Sequence, residues 1–116
     1  YNIVWDRLLE LGLFDESVNR EEQAVYLQKM RRYGVPLDSR ADYTKIDWLA
    51  WTTVMTDDAD YRDKVYRATF RMVCESADRI PVTDWYDAVD GRCVGFRARS
   101  VLGGFYINLL AEDFLN

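Results

Sequence analysis

The fold is decided by the stretch Tyr33-Gly-Val-Pro-Leu-Asp-Ser-Arg-Ala-Asp-Tyr-Thr-Lys-Ile-Asp-Trp-Leu-Ala-Trp51. This stretch joins a polar loop to an apolar helix. Gly34 and Pro36 predict the end of a preceding helix, since glycine accepts the left-handed conformation there and proline cannot continue a helix. The loop that follows carries the charged residues Asp38, Arg40, Asp42 and Lys45. Because the N-terminal end of a helix favours anions, this loop is a candidate ligand site. The alternative is that its charges only cap the helix and pair with one another.

The helix after this loop is predicted to begin at Thr44 and to end near Thr56. Thr44 lies three residues before Asp47, which is the spacing of a capping box with Asp in place of Glu. Apolar side chains then cover every side of the helix, namely Ile46, Trp48, Leu49, Ala50, Trp51, Val54 and Met55. A helix that is apolar all round lies in the core of a protein.

The composition is that of one small globular domain, with 116 residues, 49% hydrophobic residues and a formal net charge of -5. Lys and Arg residues lie scattered among Asp and Glu, which leaves no positive surface for nucleic acid or for an anionic membrane. The longest uncharged run, 100–111, is shorter than the roughly 20 apolar residues that a membrane span needs, and no signal peptide is visible. We therefore expect no nucleic-acid partner and no membrane span.

The sequence contains no histidine. Within this segment, that excludes Ser-His-Asp and Cys-His catalytic sites and His-ligated zinc or iron, and we expect no metal and no cofactor. Cys74 and Cys93 are the only thiols, and two cysteines do not establish a disulfide. A disulfide between them stays possible, and we expect neither to be catalytic, since neither lies at an electropositive helix start.

Helical periodicity runs through most of the remaining chain. A first helix is expected from Tyr1 to about Leu11, and because no capping residue precedes it, we expect the chain to be the end of a longer protein. Gly12 is expected to end that helix, and a second helix begins at 15–17. A fourth helix follows the acidic residues Asp57, Asp58 and Asp60. Its apolar stripe is made of Tyr61, Val65, Ala68, Thr69, Met72 and Val73.

The character of the chain changes at Pro81. Segments 80–87 and 92–96 are short, aromatic and β-branched, and Asp90-Gly91 between them predicts a turn, so we expect a small β-hairpin near 80–97. A last helix is expected from Ala98 to about Phe114. Gly103-Gly104 in its middle costs about 1 kcal/mol per glycine relative to alanine, which indicates close packing against a neighbour.

Helices with one polar face alternate with helices that are almost wholly apolar. Concentric layers of helical hairpins produce this pattern, since the outer helices cover the inner ones. The sequence therefore predicts an all-α fold that is part of a ring of hairpins. Five predicted helices are too few to close such a ring, which agrees with the expectation of a longer parent protein.

Several long motifs occur in a fixed order, namely Tyr1-Asn-Ile-Val-Trp-Asp-Arg-Leu-Leu, Arg32-Tyr-Gly-Val-Pro-Leu-Asp-Ser-Arg, Tyr43-Thr-Lys-Ile-Asp-Trp, and Asp84-Trp-Tyr-Asp followed by Val94-Gly-Phe-Arg-Ala-Arg-Ser-Val-Leu-Gly-Gly-Phe. From Tyr1 to about Leu110 the chain resembles the end of the six-helical-hairpin domain of the glutaminase A family. The resemblance implies an (α/α) six-hairpin toroid, of which residues 1–116 form the C-terminal segment. It also implies a larger parent with an N-terminal β-rich domain and a secreted or periplasmic location.

The resemblance further implies hydrolysis of L-glutamine to L-glutamate and ammonia by the parent, with the isolated segment expected to be inactive. Such an enzyme must bind the charged ends of an amino acid, activate water and stabilise an oxyanion. The catalytic candidates are Asp47 to orient or deprotonate water, Lys45 to steady negative charge, and Asp38. The substrate-binding candidates are Arg40 or Arg99 for the α-carboxylate, Asp38 or Asp84 for the α-ammonium, and Trp48 and Trp85 as pocket walls. The alternatives are a helix cap for Asp47, an ion pair for Arg99 and plain core for the tryptophans.

Two other functions stay open at this point. Helical toroids also carry inverting glycosidases, which need two carboxylates roughly 6.5 to 9.5 Å apart and aromatic platforms for sugar rings. That requirement is met as well by Asp38, Asp47, Asp84 and Asp87 with Trp48 and Trp85. In the third reading the segment is non-catalytic and only completes the toroid, which would hold if these carboxylates point away from any shared cavity.

Overall fold

A computed structural model describes residues 1–115, and the side chains of residues 1–113. Within these residues the chain forms five α-helices, one 3₁₀-helix and two short strands. In chain order they are α1 (Val4–Leu8), α2 (Glu16–Lys29), β1 (Tyr43–Lys45), α3 (Ile46–Thr52), α4 (Ala59–Glu75), β2 (Trp85–Asp87), the 3₁₀-helix (Ser100–Tyr106) and α5 (Ile107–Leu115). The prediction of an all-α fold with a short β excursion is confirmed.

The central element is α3, which contributes to both clusters of buried apolar side chains. One cluster comprises Tyr33, Val35, Ile46, Leu49, Tyr61, Val65, Met72 and Tyr86. The other comprises Val4, Leu8, Ala50, Val54, Met55, Ile107 and Ala111. Because both clusters use residues of α3, the prediction that this helix lies in the core is confirmed.

The predicted start of α3 at Thr44 is wrong. Thr44 belongs to β1, and its hydroxyl is buried without a hydrogen-bond partner in the described part of the chain, so it does not cap the helix. The helix begins at Ile46, whose amide donates to the carbonyl of Asp84 at 2.8 Å. It ends at Thr52 rather than near Thr56, and turns follow.

The two strands form an antiparallel ladder in which Thr44 lies opposite Tyr86 and Lys45 opposite Trp85. Thr44 and Tyr86 are fully buried, so they form the inner face of this small sheet. The predicted hairpin is present only as a bridge between Tyr86 and Cys93. The longer pairing of β2 is with β1, about forty residues earlier in the chain, and short strands give no sequence signal for such a distant partner.

Helices α2 and α4 begin where their caps predict. The carboxylate of Asp15 accepts the amide of Ser17 before α2, and that of Asp58 accepts the amides of Asp60 and Tyr61 at the start of α4. The buried residues of α4 are Tyr61, Val65, Ala68, Thr69 and Met72, which confirms most of the predicted stripe.

Gly34 does not end α2, because that helix ends five residues earlier at Lys29. Instead, Gly34 has a positive φ of 149° and forms a bridge with Arg31. A Cβ atom there would lie 2.6 Å from Cδ1 of Leu49. The glycine is therefore required by the close packing of its loop against α3.

The first and last predicted helices are shorter or divided. The first is the short α1, which ends before Glu10 and Gly12, both of which have a positive φ. The last is a 3₁₀-helix that contains both predicted glycines and continues into α5.

Cys74 is exposed and Cys93 is partly buried, and both are free thiols. Among the residues that the structure describes, no helix has the length and apolar character to cross a membrane.

Candidate functional site

A buried ion pair lies where the sheet meets the start of α3. Asp84 immediately precedes β2 and is 0% exposed. Nε of Arg99, just before the 3₁₀-helix, donates to Oδ1 of Asp84 at 3.1 Å, and Nη2 donates to Oδ2. Nζ of Lys45, the last residue of β1, lies 3.7 Å from Oδ2 of the same carboxylate. The ladder register and the bond from the Ile46 amide thus place Lys45 beside the Asp84 carboxylate, and the side chain of Arg99 adds the second cation.

The charge state of Asp84 follows from these neighbours. Burial alone would raise the pKa of Asp84, but the guanidinium of Arg99, with a smaller effect from Lys45, holds it below its ordinary value. The bonds to Asp84 in turn raise the pKa of Arg99. Asp84 is therefore ionised at neutral pH, and its two oxygens are occupied by a bidentate fork.

Asp47 lies in the first turn of α3 and is 5% exposed. Its Oδ1 atom is buried without a hydrogen-bond partner among residues 1–115. Burial raises the pKa of Asp47, and the negative charge of Asp84 raises it further. The backbone amides of Asp47 and Trp48 and the ammonium of Lys45 partly oppose this rise. A carboxyl group with a raised pKa and an unpaired oxygen is suited to accept and return a proton.

Aromatic rings surround the Lys45 ammonium. Its Nζ lies 5.0 Å from the ring centroid of Trp48 and 5.7 Å from that of Trp85. The Trp85 ring also meets Tyr43 edge-on at 5.4 Å, and the Trp48 ring stacks on Tyr1 at 4.2 Å. These rings hold the ammonium by cation–π attraction and restrict water around it.

The structure therefore brings together six of the predicted site residues, which we call the carboxylate cluster: Lys45, Asp47, Trp48, Asp84, Trp85 and Arg99. Asp38 and Arg40 are not part of it, since both are exposed and form a fork with each other, with Nη2 of Arg40 2.7 Å from Oδ2 of Asp38. Bonds from Arg40 lower the pKa of Asp38. Asp87 also lies outside, because its Oδ1 accepts the amides of Val89 and Asp90 in a turn.

Tyr1 is a neighbour of the cluster that the sequence did not predict. Its phenol lies within electrostatic range of Asp38, Arg40 and Asp47, and its pKa is raised, chiefly by burial. The Tyr1 phenol is thus within electrostatic range of both the carboxylate cluster and the exposed loop of Asp38. Helical periodicity marked Tyr1 only as an apolar position, and no local signal shows that its ring stacks on a tryptophan 47 residues later.

Among residues 1–115, no group of three or more His, Cys, Asp or Glu side chains is placed to hold a metal ion. The side chains of the cluster can themselves supply proton transfer at Asp47, charge compensation by Lys45 and Arg99, and aromatic enclosure by Trp48 and Trp85.

Comparison with known proteins identifies the family. The profile of the glutaminase A six helical-hairpin domain matches residues 1–109. Glutaminase A of Aspergillus oryzae is 34% identical over 113 residues, which are 95% of this chain and 16% of that protein. A probable glutaminase of Arthroderma benhamiae is 32% identical over 108 residues, which are 90% of this chain and 12% of that protein. No solved structure shows a significant match.

The chain thus spans only a small part of the length of these two relatives. The profile match, in contrast, covers nearly the whole chain and includes every residue of the carboxylate cluster. On this basis, the chain belongs to the glutaminase A six helical-hairpin domain family.

Proposed function

We propose that the full-length protein hydrolyses L-glutamine to L-glutamate and ammonia, and that the carboxylate cluster is part of its substrate site. The observation that carries this proposal is the buried Asp47 carboxyl group, whose unpaired oxygen lies in electrostatic range of Lys45 and Arg99. A buried oxygen without a partner lowers the stability of the fold, and a ligand or a catalytic role is one explanation for keeping it. The names of the two relatives supply the reaction class.

Lys45 is the cation best placed to bind the α-carboxylate of the substrate. The two arginines expected for this role already bind carboxylates. Arg99 forms a bidentate ion pair with Asp84, and Arg40 forms an ion pair with Asp38. An ammonium has three donors, and Asp84 at 3.7 Å takes at most one of them. The ring faces of Trp48 and Trp85 lower the local dielectric constant, which strengthens an ion pair between Lys45 and the substrate.

Asp47 acts in this proposal as general base and then as general acid. Its ionised carboxylate accepts a proton from water while the water oxygen bonds to the side-chain amide carbon of glutamine. The tetrahedral intermediate carries a negative oxygen, which the positive charge of Arg99, within electrostatic range of Asp47, stabilises. When the carbon–nitrogen bond breaks, Asp47 returns the proton to the leaving nitrogen, which departs as ammonia. The raised pKa of Asp47 makes it a stronger base than an ordinary aspartate.

One observation favours glycoside hydrolysis as a second candidate. The pKa of Asp47 is raised and that of Asp84 is lowered, so the two carboxyl groups differ in proton affinity in the sense that a general acid and a general base require. Against this, both oxygens of Asp84 already accept donors from Arg99, which leaves them less free to activate water.

The test is the release of ammonia from L-glutamine by the purified full-length protein, measured beside a panel of glycosides. We expect equal amounts of ammonia and L-glutamate and no sugar release. Sugar release without ammonia would overturn the proposal and assign the same carboxylates to a glycosidase. If neither product forms while the protein is folded, both proposed activities are wrong.

A further inference from the structure

The 3₁₀-helix packs directly on the start of α3 through Gly104. A Cβ atom built on Gly104 would lie 2.8 Å from Cβ of Asp47 and 3.1 Å from Nε1 of Trp51. Two carbon atoms in contact are normally about 3.5 to 4.0 Å apart, so these positions leave no room for a methyl group. The backbone of the 3₁₀-helix therefore covers Asp47 as closely as a polypeptide chain can.

The neighbouring Gly103 has the opposite surroundings. A Cβ atom at Gly103 would meet nothing within 4 Å. Neither Gly103 nor Gly104 has a positive φ, so the backbone of both positions accepts alanine without strain. The two adjacent glycines thus differ only in what a methyl group would contact, and they form a matched pair for substitution.

We propose that Gly104 is a positioning residue for Asp47, because its missing side chain lets the 3₁₀-helix hold the Asp47 side chain in the carboxylate cluster and exclude bulk water from the side that it covers. This inference deepens the proposed function and rests on it. Arg99, which begins the same segment, holds Asp84. Arg99 and Gly104, five residues apart in the chain, therefore set the positions of the two buried carboxylates.

The contacts of Gly104 leave little freedom for adjustment. The Cβ atom of Asp47 is fixed to the backbone of α3, and it cannot rotate away as the end of a long side chain can. The Trp51 ring is held edge-on against Trp5, with centroids 5.3 Å apart. A methyl group at Gly104 must consequently shift α3 at Asp47 or lift the 3₁₀-helix, and either movement displaces the carboxyl group or admits water to it.

The test compares Gly104→Ala with Gly103→Ala in the full-length protein through the pH profile of kcat/KM for L-glutamine. We expect Gly103→Ala to match the unsubstituted protein. For Gly104→Ala we expect kcat/KM to fall by roughly 10- to 100-fold, since a displacement near 1 Å in a catalytic site has an effect of about this size. We also expect the acid limb of the profile to move to lower pH, because a hydrated Asp47 titrates closer to an ordinary aspartate. The charged and titratable groups that face Asp47, namely Tyr1, Lys45, Asp84 and Arg99, are unchanged in both variants.

A merely structural role would lower thermal stability without moving the acid limb. If the acid limbs of the two variants coincide, the inference is wrong, whatever the size of the loss in kcat/KM.

A second measurement separates this inference from the proposed function. If the unsubstituted protein releases no ammonia, the proposed function fails, and the titration of Asp47 is then followed by tryptophan fluorescence, because Trp48 and Trp51 lie beside it. The titration that Asp47→Asn abolishes is expected at lower pH in Gly104→Ala than in Gly103→Ala. The same titration in both alanine variants would overturn the inference independently of any enzyme assay.

Discussion

Asp84→Asn removes the charge from one side of the buried ion pair and keeps the shape of the side chain. In the unsubstituted protein, Asp84 is 0% exposed and accepts two bonds from Arg99. Asparagine retains one acceptor oxygen, but its NH₂ group would face the donors of the guanidinium. The substitution thus removes one charge-assisted hydrogen bond and weakens the other.

We expect Asp84→Asn to lower the free energy of unfolding by about 2 to 3 kcal/mol. A hydrogen bond to a charged group contributes about 1.5 to 3 kcal/mol, and removing one partner of a fully buried pair costs about 3 to 5 kcal/mol. The Arg99 side chain is 33% exposed, so its guanidinium can reach water when it loses Asp84. The higher range therefore does not apply.

The effect has a defined dependence on pH. Burial alone would raise the pKa of Asp84, yet Arg99 holds it below its ordinary value. The ionised carboxylate consequently stabilises the fold above the ordinary aspartate pKa of about 3.9, and this contribution is lost as the pH falls through the lowered pKa of the folded state. Because asparagine does not titrate, the difference in stability between the two proteins shrinks below about pH 4.

Urea unfolding of the full-length protein at about pH 7 and in acid measures both effects, and urea does not screen the ion pair as a salt would. Asp78→Asn is the matched control, because Asp78 pairs with Arg97 at 3.3 Å but its side chain is 28% exposed. We expect Asp78→Asn to lower the free energy of unfolding by at most about 1 kcal/mol. Equal losses for the two variants, or a difference that does not change with pH, would refute the reasoning.

Two further predictions concern packing and loop structure. Gly34→Ala should lower the free energy of unfolding in urea by about 3 kcal/mol, since its backbone has a strained φ and its Cβ atom would lie 2.6 Å from a leucine methyl. The control Gly12→Ala, whose Cβ atom would have nothing within 4 Å, should lower it by about 1 kcal/mol. Equal costs would show that packing at Gly34 is not tight. Asp6→Ala should speed chymotrypsin cleavage within 9–14 by roughly tenfold, because the Asp6 carboxylate accepts the amides of Leu13 and Phe14. Unchanged cleavage would mean that these bonds do not order the loop.

Local signals predicted the helices well where caps and periodicity act within one element. The Asp15 and Asp58 caps and the stripe of α4 are of this kind, since each depends on neighbours at most a few turns away. The start of α3 was wrong because the partner of Thr44 is Tyr86, and that pairing outweighed the local capping signal. Similarly, the predicted close packing at Gly103-Gly104 holds for Gly104, whereas sequence alone cannot tell which glycine faces α3.

The candidate site was predicted by residue type more than by arrangement. The charged loop and the motif after Pro81 indicated Lys45, Asp47 and Asp84, and the structure places all three together. The sequence offered an ion pair for Arg99 only as an alternative and did not identify Asp84 as its partner. It likewise offered pairing among the loop charges, but not the specific pair of Asp38 with Arg40, because the direction of an exposed side chain depends on the loop around it.

The assignment of Asp47 as the proton-transferring group is tested most directly by ammonia release from L-glutamine in Asp47→Asn and Asp42→Asn variants of the full-length protein. Asp42 is the control because it lies in the same loop region, is exposed and pairs with Arg31 at 3.2 Å. General acid–base catalysis raises the rate by a factor of about 10² to 10⁴, so we expect Asp47→Asn to lower kcat by at least about 100-fold with little change in the thermal midpoint of unfolding. We expect Asp42→Asn to leave kcat unchanged. A folded Asp47→Asn variant that turns over glutamine as fast as Asp42→Asn would contradict the account.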